Sequence, residues 1–318
     1  MIQENKIASL IYNTLLKYHK LQGTNLFGPI WRYFWNKSIN WHSGAVTANV
    51  HGRRVFTNNG HSYPLFARRF PHWNNPLIQL VHESAITLGK PIIVVDIGAG
   101  IGDTVLLLES NCPSSIKQFV CIEGDTEFFR YLKENLKQPE RYELCNVMLS
   151  NEESGIPSLV RTHAGTASAQ GTSQTYALSF DQLACSHEPP NVIKIDVDGY
   201  DGKVLAGATK TLKEHKPAVI FEWDPSLCRD TSNNWLEHFE ILGKADYTRY
   251  IWFTKYGDFS HFMTDVDINA VSKLAEVCLS GERDYNWHYD VIALHKTSPI
   301  SDTNLAFLKF AKRRRSWF

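Results

Sequence analysis

The chain predicts an α/β fold, a mostly parallel sheet wound with helices on both faces, and three observations carry that prediction. From Ile92 the pattern runs strand, helix, strand, helix, the signature of a doubly wound sheet. The first apolar run ends at Asp96 in a turn with Gly98, Gly100 and Gly102 at alternate positions, and Asp103-Thr104 then opens a helix. Missing side chains there let a nucleotide-like ligand lie against backbone N–H groups and a helix N-terminus. Two late runs, Tyr247 to Thr254 and His288 to His295, read as antiparallel strands that finish the sheet.

In chain order, Ile7 to Tyr18 is an amphipathic helix, followed by an aromatic segment with Phe27, Trp31, Tyr33, Phe34, Trp35 and Trp41. That segment is expected to cap the core, or else to form a lid or a surface for a large acceptor. Residues 45–59 alternate like a hairpin about His51-Gly52, and 63–88 reads as loop and helix. Strands are expected at 92–96, 118–123, 142–148, 192–197 and 217–223, with helices near 103–110, 126–136, 200–214 and 231–242. The Ala-, Gly-, Ser- and Thr-rich stretch Thr162 to Thr175 is expected to be a flexible loop covering the strand tips. The expected units are an N-terminal helical and hairpin appendage at 1–90, a core domain at 91–298 and a basic helix or tail at 299–318.

The glycine spacing is not the dinucleotide fingerprint, since GxGxxG would place its third glycine at position 103, where the chain has Asp. This disfavours a dehydrogenase. The spacing DxGxGxG resembles the first motif of S-adenosylmethionine (SAM) methyltransferases. The next strand ends at Glu123, where a carboxylate can accept both ribose hydroxyl protons. The block Asn191 to Glu222 resembles the fourth-strand signature of the FkbM family of SAM-dependent O-methyltransferases. It carries Lys194, Ile195, Asp196, Val197, Asp198, Gly199 and Asp201, with Leu205, Gly207 and Ala208. Asp198 and Asp201 each stand where that signature has Glu, so charge is kept while reach shortens by one methylene.

This resemblance implies a class I SAM-methyltransferase (Rossmann-like) seven-stranded sheet and methyl transfer to a hydroxyl of a sugar or secondary metabolite. It implies cofactor contacts from Asp96, Gly98, Ala99, Gly100, Gly102, Asp103 and Thr104, and from Glu123, Gly124 and Asp196. Asp196 and Asp198 are candidate catalytic groups, open to four roles: orienting SAM, taking the acceptor proton, holding a divalent cation with Glu222 or Asp224, or pinning the turn at Gly199. No metal is assigned. His163 and His261 are further candidate bases. A non-catalytic SAM- or nucleotide-binding module of the same fold is the alternative, and a sealed acceptor side would favour it.

Composition narrows the partners. Hydrophobic residues at 43% and charged residues at 21% fit a globular protein, and 33 basic against 33 acidic side chains leave no global field to recruit nucleic acid. The six cysteines form no CxxC pair, which predicts thiols in a reducing cytoplasmic setting rather than a zinc ribbon. No apolar run reaches the roughly 18 residues that span a bilayer, and the start lacks a signal-peptide layout. The basic run Lys312 to Arg315, with Trp317 and Phe318, is expected to be a solvated tail or a peripheral contact for anionic lipid or glycan phosphate. The acceptor is expected to be a small molecule or glycan.

Overall fold

The computed structural model describes residues 2–70, 72–138, 140–151, 156–163, 165–184, 188–280 and 287–306. Its main sheet has eight strands. In chain order they are β1 (Ile92–Ile97), β2 (Ile116–Ile122), β3 (Tyr142–Cys145), β4 (Val192–Ile195), β5 (Ala218–Trp223), β6 (Tyr247–Thr254), β7 (Phe259–Thr264) and β8 (Tyr289–His295), and they lie side by side as β3-β2-β1-β4-β5-β8-β6-β7. The five strands β1 to β5 pair in parallel, while β8 pairs antiparallel with β5 and β6. Without the edge strand β7 this leaves seven strands, the number expected from the sequence. β7 is an addition to the expected strands: its alternation of exposed and half-buried residues carries little apolar signal.

The pleat sends alternate residues of β1 to opposite layers: Ile92 and Val94 join one core cluster, Ile93, Val95 and Ile97 the other. The first cluster also contains Ala8, Tyr12, Leu16 and Trp31, so the N-terminal helices share the core of the sheet. Helix α1 (Lys6–Lys17) starts where Asn5 accepts N–H bonds from Ile7 and Ala8. On α2 (Gly28–Trp41), Trp31 stacks on Trp35 at 5.0 Å and donates its indole N–H to Leu15 O, whereas Tyr33, Phe34 and Trp41 stay exposed. The hairpin Ala45–Val50/Arg53–Asn58 turns at His51-Gly52 as expected. Asn135, ending the helix Thr126–Asn135, ties it to the sheet domain by bonding both Phe56 O and Ile101 O. Two helices follow, α3 (Tyr63–Arg69) and α4 (Asn75–Leu88).

Four local expectations need correction. The expected loop at 162–175 belongs to an antiparallel hairpin, Ile156–His163 with Thr166–Thr175. Its small polar residues hide the apolar alternation of a strand, yet mutual pairing satisfies their backbone groups. The expected strand at 142–148 stops at Cys145, and Met148–Leu149 pairs separately with Ala177–Leu178. The helix expected at 200–214 breaks at Gly207 into Asp201–Ala206 and Thr209–His215. The one expected at 231–242 is replaced by Pro225–Asp230 and Glu237–Lys244. Residues 312–318 lie outside the described residues. Among the described residues, no helix is long and apolar enough to cross a membrane.

Candidate active site

The strand tips β1, β2, β4 and β5 open on one cavity of about 610 Å³. Its floor begins at the glycine turn, where Gly98, Gly100 and Gly102 hold φ of +82°, +52° and +88°. Gly98 and Gly100 do different jobs. A Cβ on Gly98 would stand 1.9 Å from Asp196 O, so the missing side chain lets β1 and β4 close together. A Cβ on Gly100 would meet only Asp103 Oδ1, at 3.6 Å, and Gly100 lines the cavity. Gly98→Ala is therefore expected to cost about 3 kcal/mol or more of stability, from overpacking against backbone that cannot yield. Gly100→Ala should cost only about 1–2 kcal/mol, for the left-handed conformation. Denaturant unfolding of the two variants measures the contrast, and equal losses would show that the close approach at Gly98 is not limiting.

Glu123 closes the turn from the neighbouring strand. Its Oε2 accepts the Gly100 N–H at 2.8 Å and its Oε1 the Asp125 N–H at 2.7 Å. Burial pushes this carboxyl up to about 7, against the pull of those two N–H groups. Each oxygen keeps a second lone pair for a further donor. Asp103, opening the helix Asp103–Asn111, is likewise pushed up to about 7 by burial, with Lys194 pulling the other way.

Beneath the acidic tips lies a charge cluster centred on Lys194, whose Nζ is 3.1 Å from Asp96 Oδ1 and 3.2 Å from Asp196 Oδ2. Burial opposes the ammonium charge, but Asp196 and Asp96 outweigh it and hold its pKa above the ordinary value. Asp96 is fully buried and does not line the cavity, and neither do Ala99 and Gly102. The lining does include Gly98, Gly100, Asp103, Thr104, Glu123, Gly124, Asp196 and Asp198. Asp198 sits at φ 52°. Burial, then the charges of Asp196, Asp201 and Glu123, raise its carboxyl well above the usual range, favouring the neutral form. Asp201 turns inward and accepts the Gly199 N–H through Oδ2, so this motif position pins the turn.

On the other side, Glu222 and His288 line the cavity, with His288 Nε2 3.3 Å from Glu222 Oε1 and Nδ1 3.6 Å from Asp224 Oδ2. Asp224 itself caps the helix Pro225–Asp230 and stays outside the lining. Burial and then the charges of Asp196, Asp224 and Asp198 raise Glu222 well above the ordinary range, and burial pushes Asp290 up to about 6. Among the described residues, no group of three or more His, Cys, Asp or Glu side chains is arranged to hold a metal ion. The candidate quartet Asp196, Asp198, Glu222 and Asp224 thus does not form a cation site here.

Of the other candidate bases, His163 ends a hairpin strand, but its side chain lies outside the described residues. His261, on β7, stacks on Trp252 at 5.2 Å and does not reach the cavity. The sequence reading overlooked His288, Asp290 and the ion-pairing role of Lys194. A topological signal for the first two existed. An antiparallel strand begins where its parallel neighbour ends, so the start of β8 must lie at the acidic tips, and Asp290 indeed pairs with Glu222.

The family profile described as "Methyltransferase FkbM domain" matches residues 96–248. Over these residues, just under half of the chain, the protein is similar to FkbM methyltransferase domains. No curated protein matches the chain. Among solved structures, an FkbM methyltransferase from Methylobacillus flagellatus aligns at 15% identity and TM-score 0.35, over 64% of this chain and 43% of its own. The chain thus spans less than half of that FkbM protein. An O-methyltransferase from Bacillus cereus in complex with SAH aligns at 13% identity and TM-score 0.39, over 72% of this chain and 86% of its own. A plantazolicin methyltransferase in complex with SAH aligns at 13% identity and TM-score 0.38, over 73% and 88%.

Proposed function

We propose that this protein is a SAM-dependent O-methyltransferase acting on a hydroxyl of a sugar or a secondary-metabolite scaffold. The observation that carries the reading is the cavity itself. It joins a glycine turn with an open face at Gly100 and a two-oxygen acceptor at Glu123 to an acid-lined tip, and it continues past that tip to a second wall at Tyr63 and Trp73. We read that second wall as the acceptor side, which favours an enzyme over the non-catalytic module.

The residues fit SAM. Asp103, Glu123, Asp196 and Asp198 make this half of the cavity acidic, which suits a ligand bearing a sulfonium and an ammonium group. The second lone pairs of Glu123 suit a ribose diol. When bound, SAM supplies an electrophilic methyl group for in-line displacement. The chain's part is then to align the acceptor hydroxyl, exclude water and remove one proton. We assign proton removal to His288 and acceptor positioning to Asp198 as a neutral donor. The hairpin Ile156–His163/Thr166–Thr175 reaches the site through Ser168, whose hydroxyl donates to Asp198 O at 3.4 Å, and is assigned the covering role. The free cysteines among the described residues, such as the buried Cys112 and Cys121, suit the reducing cytoplasm in which we place the enzyme.

Calorimetry with SAM tests the cofactor reading. Glu123→Gln should raise the Kd about tenfold or more, through the loss of charge-assisted bonds worth roughly 1.5–3 kcal/mol each. Because the carboxyl titrates near 7 in the free protein and a cationic ligand binds its ionised form, binding releases a proton there. The wild-type Kd should accordingly rise as pH falls from about 8 to 6, and the Gln variant should keep only the part of that slope that Asp103 contributes. Wild-type protein that binds neither SAM nor SAH overturns the assignment.

A further inference from the structure

Resting on the reading above, the cavity's far half narrows the class of acceptor. Charge is divided sharply along its length. Among the described residues, all its lining carboxylates stand at or beside the strand tips, and none comes from segment 61–77 or from 255–256, which form a second wall. That wall is instead a run of aromatic rings with two cations. Trp73 packs on Tyr63 at 5.2 Å and on Phe66 at 5.6 Å, Phe66 stacks on Phe70 at 5.7 Å, and Phe70 meets Tyr256 at 4.5 Å. The guanidinium of Arg69 lies 5.3 Å from the Phe70 ring and spends one N–H on Gln22 Oε1 at 3.1 Å, leaving further donors of its planar fork to turn elsewhere. The Lys255 ammonium lies 5.6 Å from the Tyr256 ring. Both cations line the cavity beside ring faces.

Aromatic faces receive the flat apolar side of a sugar or another ring, and cations beside them receive an oxyanion. A neutral glycan could accept hydrogen bonds from these two groups, but an oxyanion matches their charge as well. We propose that the acceptor is a phosphate-bearing ring compound, its ring against Phe66, Phe70 and Tyr256 and its phosphate at Arg69 and Lys255. The opposed charges of the two halves also orient the ligands: the cationic cofactor is drawn to the acidic tips, while the acceptor's anion is repelled from them and its hydroxyl end is left facing His288.

The test uses full-length protein saturated with SAH, titrated with phenyl phosphate and glucose 1-phosphate against their uncharged partners phenol and methyl glucoside. The phosphorylated probes should bind at least about tenfold more tightly, and added salt should weaken them. Arg69→Gln/Lys255→Gln should lose that advantage while its Kd for SAH stays within about twofold of wild type, which also reports that the variant is folded. Equal binding of charged and neutral probes, no binding of any probe, or unchanged phenyl phosphate affinity in the double variant would overturn the proposal. SAH affinity is measured first on the same sample. Its absence counts against the methyltransferase reading, whereas its presence without phosphate preference counts only against the acceptor class.

Discussion

Replacing His288 with glutamine is expected to lower kcat about 100-fold or more while leaving the Kd for SAM within about threefold. The scale is that of losing a positioned general base. His288 lies against the cavity with a carboxylate near each ring nitrogen, Glu222 at 3.3 Å and Asp224 at 3.6 Å. On the proposed reading, an imidazolium formed as the acceptor hydroxyl gives up its proton would lie beside the Asp224 carboxylate. Asp198→Asn is the matched control. Asn copies a neutral carboxyl and tolerates the left-handed backbone at φ 52°, so activity should stay within about tenfold of wild type. A large loss in Asp198→Asn with full turnover in His288→Gln would exchange the two roles.

That assignment departs from what the sequence suggests, and the reason is physical. Asp198 is prominent in sequence because it sits in a motif, but whether a carboxyl is ionised depends on what the fold packs around it. Here Asp196, Asp201 and Glu123 crowd the same tip. The glycine turn, Glu123 and the five parallel strands were legible because their signals are local: strand periodicity, a spacing of two between glycines, an acid at a strand end. The second wall was not, since Phe66, Phe70 and Tyr256 come together only when α3 and the β6–β7 turn close on one another. The hairpin at 156–175 was obscured for a different reason. Its second strand, Thr166–Thr175, is built of Thr, Ala, Ser, Gln and Gly, so the apolar alternation that marks a half-buried strand is weak there.

Lys194→Met is expected to be the most destabilising of these changes, by about 3–5 kcal/mol at neutral pH, the usual loss when one partner of a buried ion pair is removed. Asp96 is fully buried, and its Oδ2 has no hydrogen-bond partner among the described residues, so Lys194 supplies most of the compensation for its charge. Burial already raises the Asp96 carboxyl, and Lys194 is what lowers it. Without the ammonium, the folded-state pKa of Asp96 must rise further above its unfolded value of about 3.9. A carboxyl shifted that way binds more protons folded than unfolded, so stability falls as pH rises between the two values. The deficit of Lys194→Met relative to wild type should therefore be full near pH 8 and shrink as pH falls toward about 5. Asp96→Asn in the Lys194→Met background should recover much of it at pH 8, because the neutral amide leaves no buried charge to compensate. Urea unfolding of wild type and both variants at the two pH values reads this directly. A deficit under about 1 kcal/mol, or one that does not change with pH, would mean that Asp96 is not held ionised by Lys194, and that the base of the glycine turn rests on packing alone.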